Sequence, residues 1–593
     1  MRIFTENSVF KWLCLLALGS STSSFSSAQQ QHPISAPFPP STPSAASASL
    51  PSVRNETEDN LIFASVSSLL QQWPNTLRRN GHTIVRGTIP VGTILYHARG
   101  DRHVPDVPEW TGTNVEHSYA LCPSDCWMIT LAVEEELNIV YFDGSSAAKS
   151  ILGHLDTQDM LVWGKIRPEK CLNDEERLAF LCEWGAKYGL DAFVRMEPGF
   201  EVMICDFRKK MKTISILNIM GSTRSSRKDD LGQSTDLALV HHRQITKGIP
   251  KKSLENQTET HISGSPPAPF PSLHPCLPFP PGHPPPPPPR QPLPPHWQGP
   301  LRDQQSVHME LLLAAAWNNH NPGEIRVKLD YSRLVTFYDP TFTSLVKARK
   351  GLDRNHHRLL SLSPVDYHTA LAQLDEDLSR PTTESSGIDW RSVLRTVTDR
   401  YGDRIWLLKD SLDRREQKGV NSTEVASHVR LQVFVMLMQY LIYGAVPPDD
   451  DPSSGGRDRE WLEPITTHCA SALTAGINPS KLTRSERLIK QSIDGVLHRI
   501  CSTLTGVWAD AFSVLNVPDE KVGKLLKGWS RSVNELVDWL DWPMWHTCRP
   551  ACPEQMFCYI PTWPFGVPWE AVDPDSIDMT PRCIDRTNAV LHP

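Results

Sequence analysis

Two runs, WMITLAV (Trp127–Val133) and LNIVYFDG (Leu137–Gly144), decide how the first half of the chain is read. Both are rich in β-branched and aromatic residues, and a short acidic linker lies between them. That pattern predicts paired strands. Upstream, HTIVRGTIP and GTILYHA are bounded by Gly and Pro and read the same way; downstream, FEVMICDF (Phe200–Phe207) predicts another strand. Helices are predicted around them. NLIFASVSSLLQQW (Asn60–Trp73) repeats its apolar residues at helical spacing, and NDEERLAFLCEWGAKYGL opens on Asn173 as a cap with acids in its first turn. Residues 59–220 are therefore expected to form an α+β domain.

Working toward the N-terminus, residues 29–58 are rich in Ser, Pro, Ala and Gln and are expected to be disordered. Before them, Arg2 and Lys11 precede the apolar WLCLLALG, and small residues end at Ala28. This predicts a cleaved signal peptide, residues 1–28. The apolar run is short for a span of roughly 20 residues.

Working the other way, residues 221–302 turn polar and then proline-rich, with six successive prolines at 284–289. The chain holds 51 prolines, and this tract predicts a disordered polyproline connector. Residues 303–541 are expected to be a mainly α-helical second domain. In PDEKVGKLLKGWSRSVNELVDWL, residues Val522, Leu525, Leu526, Trp529, Val533, Leu536, Val537 and Leu540 make one apolar face. The stretch 431–446 is apolar, but Gln432 and Gln439 form a stripe with His428, which predicts a buried core helix and argues against a membrane span. Residues 542–593, dense in Cys, Trp and Pro, predict a stapled Cys-rich C-terminal cap.

Charge and cysteine usage narrow the function classes. With 60 Lys+Arg against 67 Asp+Glu the chain has no basic excess, so no nucleic-acid partner is expected. Of 13 cysteines one lies in the signal peptide. Disulfides are expected from Cys122, Cys126, Cys171, Cys182, Cys469, Cys501, Cys548, Cys552, Cys558 and Cys583, with Cys205 buried and unpaired. The tail spacing Cys-x3-Cys-x5-Cys-x24-Cys also admits zinc ligands, but only its first pair has knuckle spacing, so two disulfides are preferred and no metal is assigned. Sequons stand at Asn55, Asn256 and Asn421. Together these features predict an extracellular or secretory-pathway glycoprotein.

The candidate chemistry gathers in GTILYHARGDRHVPDVPEWTGTNVEHSY (Gly92–Tyr119), where Asp101, His103, Asp106, Glu109 and His117 follow a predicted strand. LYH, a downstream SY and a later strand carrying Glu resemble the His-Tyr-Glu arrangement of ADP-ribosyltransferase folds. The resemblance implies that His97 binds the nicotinamide ribose of NAD, Tyr119 stacks on nicotinamide, and Glu201 stabilises developing charge. The sequence departs from it in that Ala98 and Arg99, with no glycine, follow His97. A second option is a carboxylate pair for glycoside hydrolysis, which needs two acids roughly 5–10 Å apart. Glu201 and Asp206 alternate to opposite faces of one strand, so Asp143 with Glu201 is the pair to consider. FRKKMK (Phe207–Lys212) reads as a solvated basic exit. No Gly-x-x-x-x-Gly-Lys, Gly-x-Gly-x-x-Gly, Gly-x-Ser-x-Gly or His-Glu-x-x-His motif is present, and no resident cofactor is assigned.

RHVPDVPEW, VYFDGSSAAK, RLAFLCEWGAKYGLDAFVRMEPGFEVMICDF and YDPTFTSL resemble segments of an uncharacterised family of secreted-type proteins from filamentous fungi. The resemblance runs from about residue 60 to the tail and implies a fungal secretory-pathway protein without catalytic residues to transfer. A binding or structural role, with a carbohydrate or protein ligand, is therefore the expectation; an enzyme acting through the N-terminal domain is the alternative.

Overall fold

The computed structural model describes residues 58–122, 126–150, 152–220, 304–381, 384–417, 419–443, 445, 459–511, 519–560 and 578–586. The expected signal peptide, the expected proline-rich connector, Asn55 and Asn256 lie outside them, as does all but the last residue of segment 29–58. The described residues all belong to one compact unit.

In chain order the first part holds α1 (Asp59–Ser67), α2 (Gln72–Leu77), β1 (Thr83–Ile89), β2 (Ile94–Arg99), β3 (Glu109–Gly112), α3 (Val115–Ala120), β4 (Cys126–Val133) and β5 (Leu137–Phe142). It continues with α4 (Asp156–Trp163), α5 (Asp174–Ala186), β6 (Ala192–Met196), β7 (Phe200–Ile204) and β8 (Met211–Met220). Then come α6 (Gln304–Ala316), β9 (Lys328–Thr336), α7 (Thr343–Arg349), α8 (Pro364–Ser379) and α9 (Trp390–Asp413). The last elements are α10 (Ser422–Leu437), α11 (Glu463–Ser471), α12 (Arg484–Ala511), α13 (Asp519–Leu540), β10 (Met556–Tyr559) and β11 (Arg582–Asp585). The first region is thus an α/β sheet region, and the later one is mostly helical with a cysteine-rich end.

Nine strands join in one sheet, in the order β8-β4-β2-β3-β7-β6-β5-β1-β9. Its pairs are antiparallel except β5 with β6, which run parallel. The later region is not separate from this sheet, because β9 forms its edge against β1. The approach there is close: a Cβ on Gly87 would come within 2.5 Å of the Lys328 carbonyl oxygen, so only glycine fits.

Alternation sends side chains of each strand to two cores. Val85, Ile139, Tyr141, Val194, Phe200 and Val202 join a large core with α1 and α9 to α13; Phe142, Phe193 and Met203 face a smaller core with α4, α5, α7 and α8. The expected face of α13 is in the large core, with Trp529 and Leu540 at most 2% exposed. Each such apolar side chain stabilises the fold by roughly 1.5–3 kcal/mol.

Several local expectations need correction. The first predicted helix is two, broken where Leu70 adopts φ 63°. Asn173 makes no side-chain cap on α5 and donates instead to Glu176. Helix α10 buries Val429, Val433 and Met436 but leaves Leu431 and Phe434 exposed, so it lies at the surface of the core. Among the described residues no helix is long and apolar enough to cross a membrane. Cys205 is not free: it pairs with Cys182, tying β7's end to α5. The other described pairs are Cys122–Cys126, Cys469–Cys501, Cys548–Cys558 and Cys552–Cys583, and Cys171 is also disulfide-bonded.

Candidate functional site

Because β5 and β6 are parallel neighbours, their carboxyl ends emerge side by side. That is where open α/β sheets place ligands. The loop after β5, DGSSAAK (Asp143–Lys149), is pinned from several sides. Gly144 N–H donates to Asn75 Oδ1 at 2.6 Å, Ser145 Oγ to the Asn75 carbonyl at 3.0 Å, and Gln158 Nε2 of α4 to the Ser146 carbonyl at 2.6 Å. Ala147 N–H donates to the Met196 carbonyl at 3.2 Å, which ties this loop to the end of β6. The chain then turns through Glu197, a cis Pro198 and Gly199 into β7.

That turn sets Arg195 opposite Glu201 in the β6–β7 register, both pointing away from the large core. Arg195 Nε donates to Glu201 Oε2 at 2.8 Å, and its Nη atoms donate to both oxygens of Asp174 at 3.1 and 2.5 Å. Lys149 Nζ lies 2.5 Å from Asp174, and His117 Nε2 lies 3.2 Å from Glu201. Arg177 carries the network on to Asp174 at 3.1 Å and Asp159 at 3.0 Å. Asp174 sits at the start of α5, where the helix dipole also favours a carboxylate.

The environment separates these groups by charge state. Burial favours the neutral form of Glu201, but Arg195, His117 and Lys149 outweigh it and hold the carboxyl at about 2. Burial likewise opposes ionisation of Asp174, and Arg195 and Lys149 overcome it, well below the ordinary carboxylate range. Glu197 goes the other way. Burial, reinforced by the charge of Glu201, pushes it well above its ordinary value. Neither Glu197 oxygen makes a well-formed hydrogen bond, and the nearby Ser145 hydroxyl donates elsewhere.

The residues singled out from sequence are distributed as follows. Glu201 is in the network and His117 joins it. His97 is on β2, buried, paired in register with Ile129 and touching Phe207, so it faces the large core. Its Nε2 lies 3.3 Å from Glu109. Tyr119, on α3, packs near Ala98, Cys126 and Met128 on the other side of β2. The sheet therefore parts His97 from Glu201 and Tyr119. Trp110 is met edge-on by both His97, at 5.0 Å between centroids, and His117, at 6.0 Å. Asp143 is apart from Glu201 in a network of its own: Oδ1 accepts from the His82 and Thr83 N–H groups at 2.7 Å each, and Oδ2 from Ser65 at 2.9 Å. Burial outweighs those bonds and raises Asp143 to about 6. Of the polar loop, Glu109 to Gly112 and Val115 to Ala120 form β3 and α3, while Asp101 and His103 make an exposed turn.

Arg195, Lys149 and Gln158 were not singled out from sequence. A signal for Arg195 was present: AFVRM-EPG-FEVMI places one Arg and one Glu inside apolar strands, equidistant from a tight turn. A hairpin there must bury them as a pair.

A protein-family model described as the YPL277C N-terminal domain matches residues 123–228, which include Lys149, Asp174, Arg195 and Glu201. Two curated proteins of Saccharomyces cerevisiae are similar to the chain. "Uncharacterized protein YOR389W" is 31% identical over 221 residues, covering 28% of this chain and 35% of the relative. "Uncharacterized protein YPL277C" is 31% identical over 222 residues, covering 28% and 45%. The chain thus spans less than half the length of the curated relatives it matches. No solved structure matches.

Proposed function

We propose that this chain is a secretory-pathway glycoprotein with a binding or structural role, whose sheet region is a rigid, non-catalytic scaffold. The observation that carries the non-catalytic reading is the closure of the ion network. Arg195, Glu201, His117 and Arg177 side chains are each at most 10% exposed, and all are engaged with internal partners. Disulfides in both halves of the chain suit an oxidising compartment. Asn421 is exposed and caps α10 by accepting the Thr423 N–H through Oδ1, which leaves its amide nitrogen for a glycan. Expressed in a eukaryotic secretory host, the chain is expected in the medium with a mobility shift removed by peptide N-glycosidase, and Asn421→Gln is expected to lose one glycan's worth of that shift. A cytosolic, unglycosylated product would overturn this reading.

An enzyme is the second reading, favoured by two acids whose environments push one toward its neutral form and the other toward its ionised form at the carboxyl ends of parallel strands. Glu197→Met separates the two. Because folding raises the Glu197 pKa, the native chain keeps a proton that the unfolded chain has lost above 4.5, and stability falls as pH rises from there. Methionine removes that cost together with two poorly satisfied oxygens. On the scaffold reading the variant melts a few degrees higher at pH 7, gains less below pH 4.5, and keeps every binding activity of the parent. Loss of a ligand-induced thermal shift in the variant would instead assign Glu197 to an active site.

A further inference from the structure

We propose that the C-terminal cap holds a tetrathiolate zinc site in its reduced state, formed by Cys548, Cys552, Cys558 and Cys583, so that one set of sulfurs serves as two interchangeable staples. This inference does not rest on the secretory reading above.

Three of the four sulfurs are already gathered. Those of Cys548, Cys552 and Cys558 lie within 4.8 Å of one another, and that of Cys583 is held beside the group by its 2.02 Å bond to Cys552. The backbone brings two of them together independently of the S–S bonds. Cys558 and Cys583 are directly opposed in the β10–β11 ladder, so both side chains leave the hairpin on one face. Cα atoms of the bonded pairs are 5.7 and 5.6 Å apart. Zinc–sulfur bonds of about 2.3 Å in a tetrahedron place sulfurs roughly 3.8 Å from one another. Reduction frees the bonded sulfurs to separate to about that distance. Two further features suit a thiolate site. Cys548 N–H donates to Cys558 Sγ at 3.0 Å, the kind of backbone contact that orients a metal-bound sulfur. The hairpin also has a small apolar core of its own, Phe557 and Tyr559 against Met309 and Leu312, so it needs a crosslink of some kind to stay formed.

The chemistry balances. Two equivalents of a dithiol reductant, one for each disulfide, each deliver two electrons and two protons, break one S–S bond and leave as a cyclic disulfide. Zn²⁺ then replaces four thiol protons, which pass to solvent.

The test uses the full chain, reduced anaerobically and titrated with Co²⁺ as a spectroscopic probe. One equivalent is expected to give thiolate-to-cobalt charge transfer with the visible bands of tetrahedral cobalt, displaced by one equivalent of Zn²⁺. Cys469→Ala should leave the spectrum unchanged; Cys548→Ala with Cys583→Ala should abolish it. Should the double variant misfold, alkylation of the reduced parent decides the matter: zinc is expected to slow labelling of the four tail cysteines at least about tenfold and to leave Cys469 and Cys501 unaffected. No tetrahedral spectrum in the parent, or equal labelling with and without zinc, would overturn the proposal.

Discussion

Arg195→Ala is expected to destabilise the chain by roughly 4 kcal/mol, among the largest effects of a single substitution here. Arg195 is 4% exposed and neutralises two carboxylates, Glu201 and Asp174. Removing it leaves Glu201 buried with only His117 as a direct partner. The pH dependence identifies the cause. A carboxylate whose folded value lies near 2 contributes stability above its unfolded value of 4.5, and that contribution is lost as pH falls from 4.5 toward 2. Urea unfolding should therefore show the widest gap between parent and variant at pH 7 and little gap near pH 2. A gap of the same size at both pH values would mean that lost packing, and not charge, is responsible. Replacing both Arg195 and Glu201 by Met should recover much of the loss, since an apolar pair leaves no uncompensated charge there.

Removing the Cys469–Cys501 disulfide, as Cys469→Ala with Cys501→Ala, should cost about 3–4 kcal/mol. The bridge closes a separation of 32 residues and joins α11 to α12 with both cysteines fully buried. Its absence frees the unfolded chain and removes a sulfur that lies 3.7 Å from the Tyr401 hydroxyl. A melting temperature lower by several degrees in calorimetry is expected; an unchanged one would show that α11 is held by its packing on α12 alone.

Much of the sheet was legible because its buried strands alternate or run apolar between turn residues. TIVRGTI, CWMITLAV and LNIVYF are strands within a residue or two of expectation. Strand β3 was hidden because EWTG is four residues long and embedded in acids and prolines. Strand β9 was hidden because KLDYSRLVT carries Lys328, Asp330, Ser332 and Arg333 among its first six residues, the last two of them buried, and sits between helical patterns. The candidate site was only half legible. Local motif matching led to His97, Tyr119 and Glu201, but which face of a strand a residue takes depends on register, and register put His97 on the far side. The Cys182–Cys205 pair was missed because a cysteine in the middle of an apolar run gives no sign of a partner 23 positions away.

The edge strand β9 has a consequence in time as well as in space. A ribosome adding roughly 5–20 residues per second needs on the order of 5–20 s to pass from the end of β8 to β9. During that interval the nascent chain has made eight of the nine strands, and the flank of β1 that β9 will cover presents unpaired amide and carbonyl groups. Such a flank recruits whatever extended peptide meets it first. Chaperone occupancy of β1, and its release once Thr336 has been translated, should therefore mark that interval.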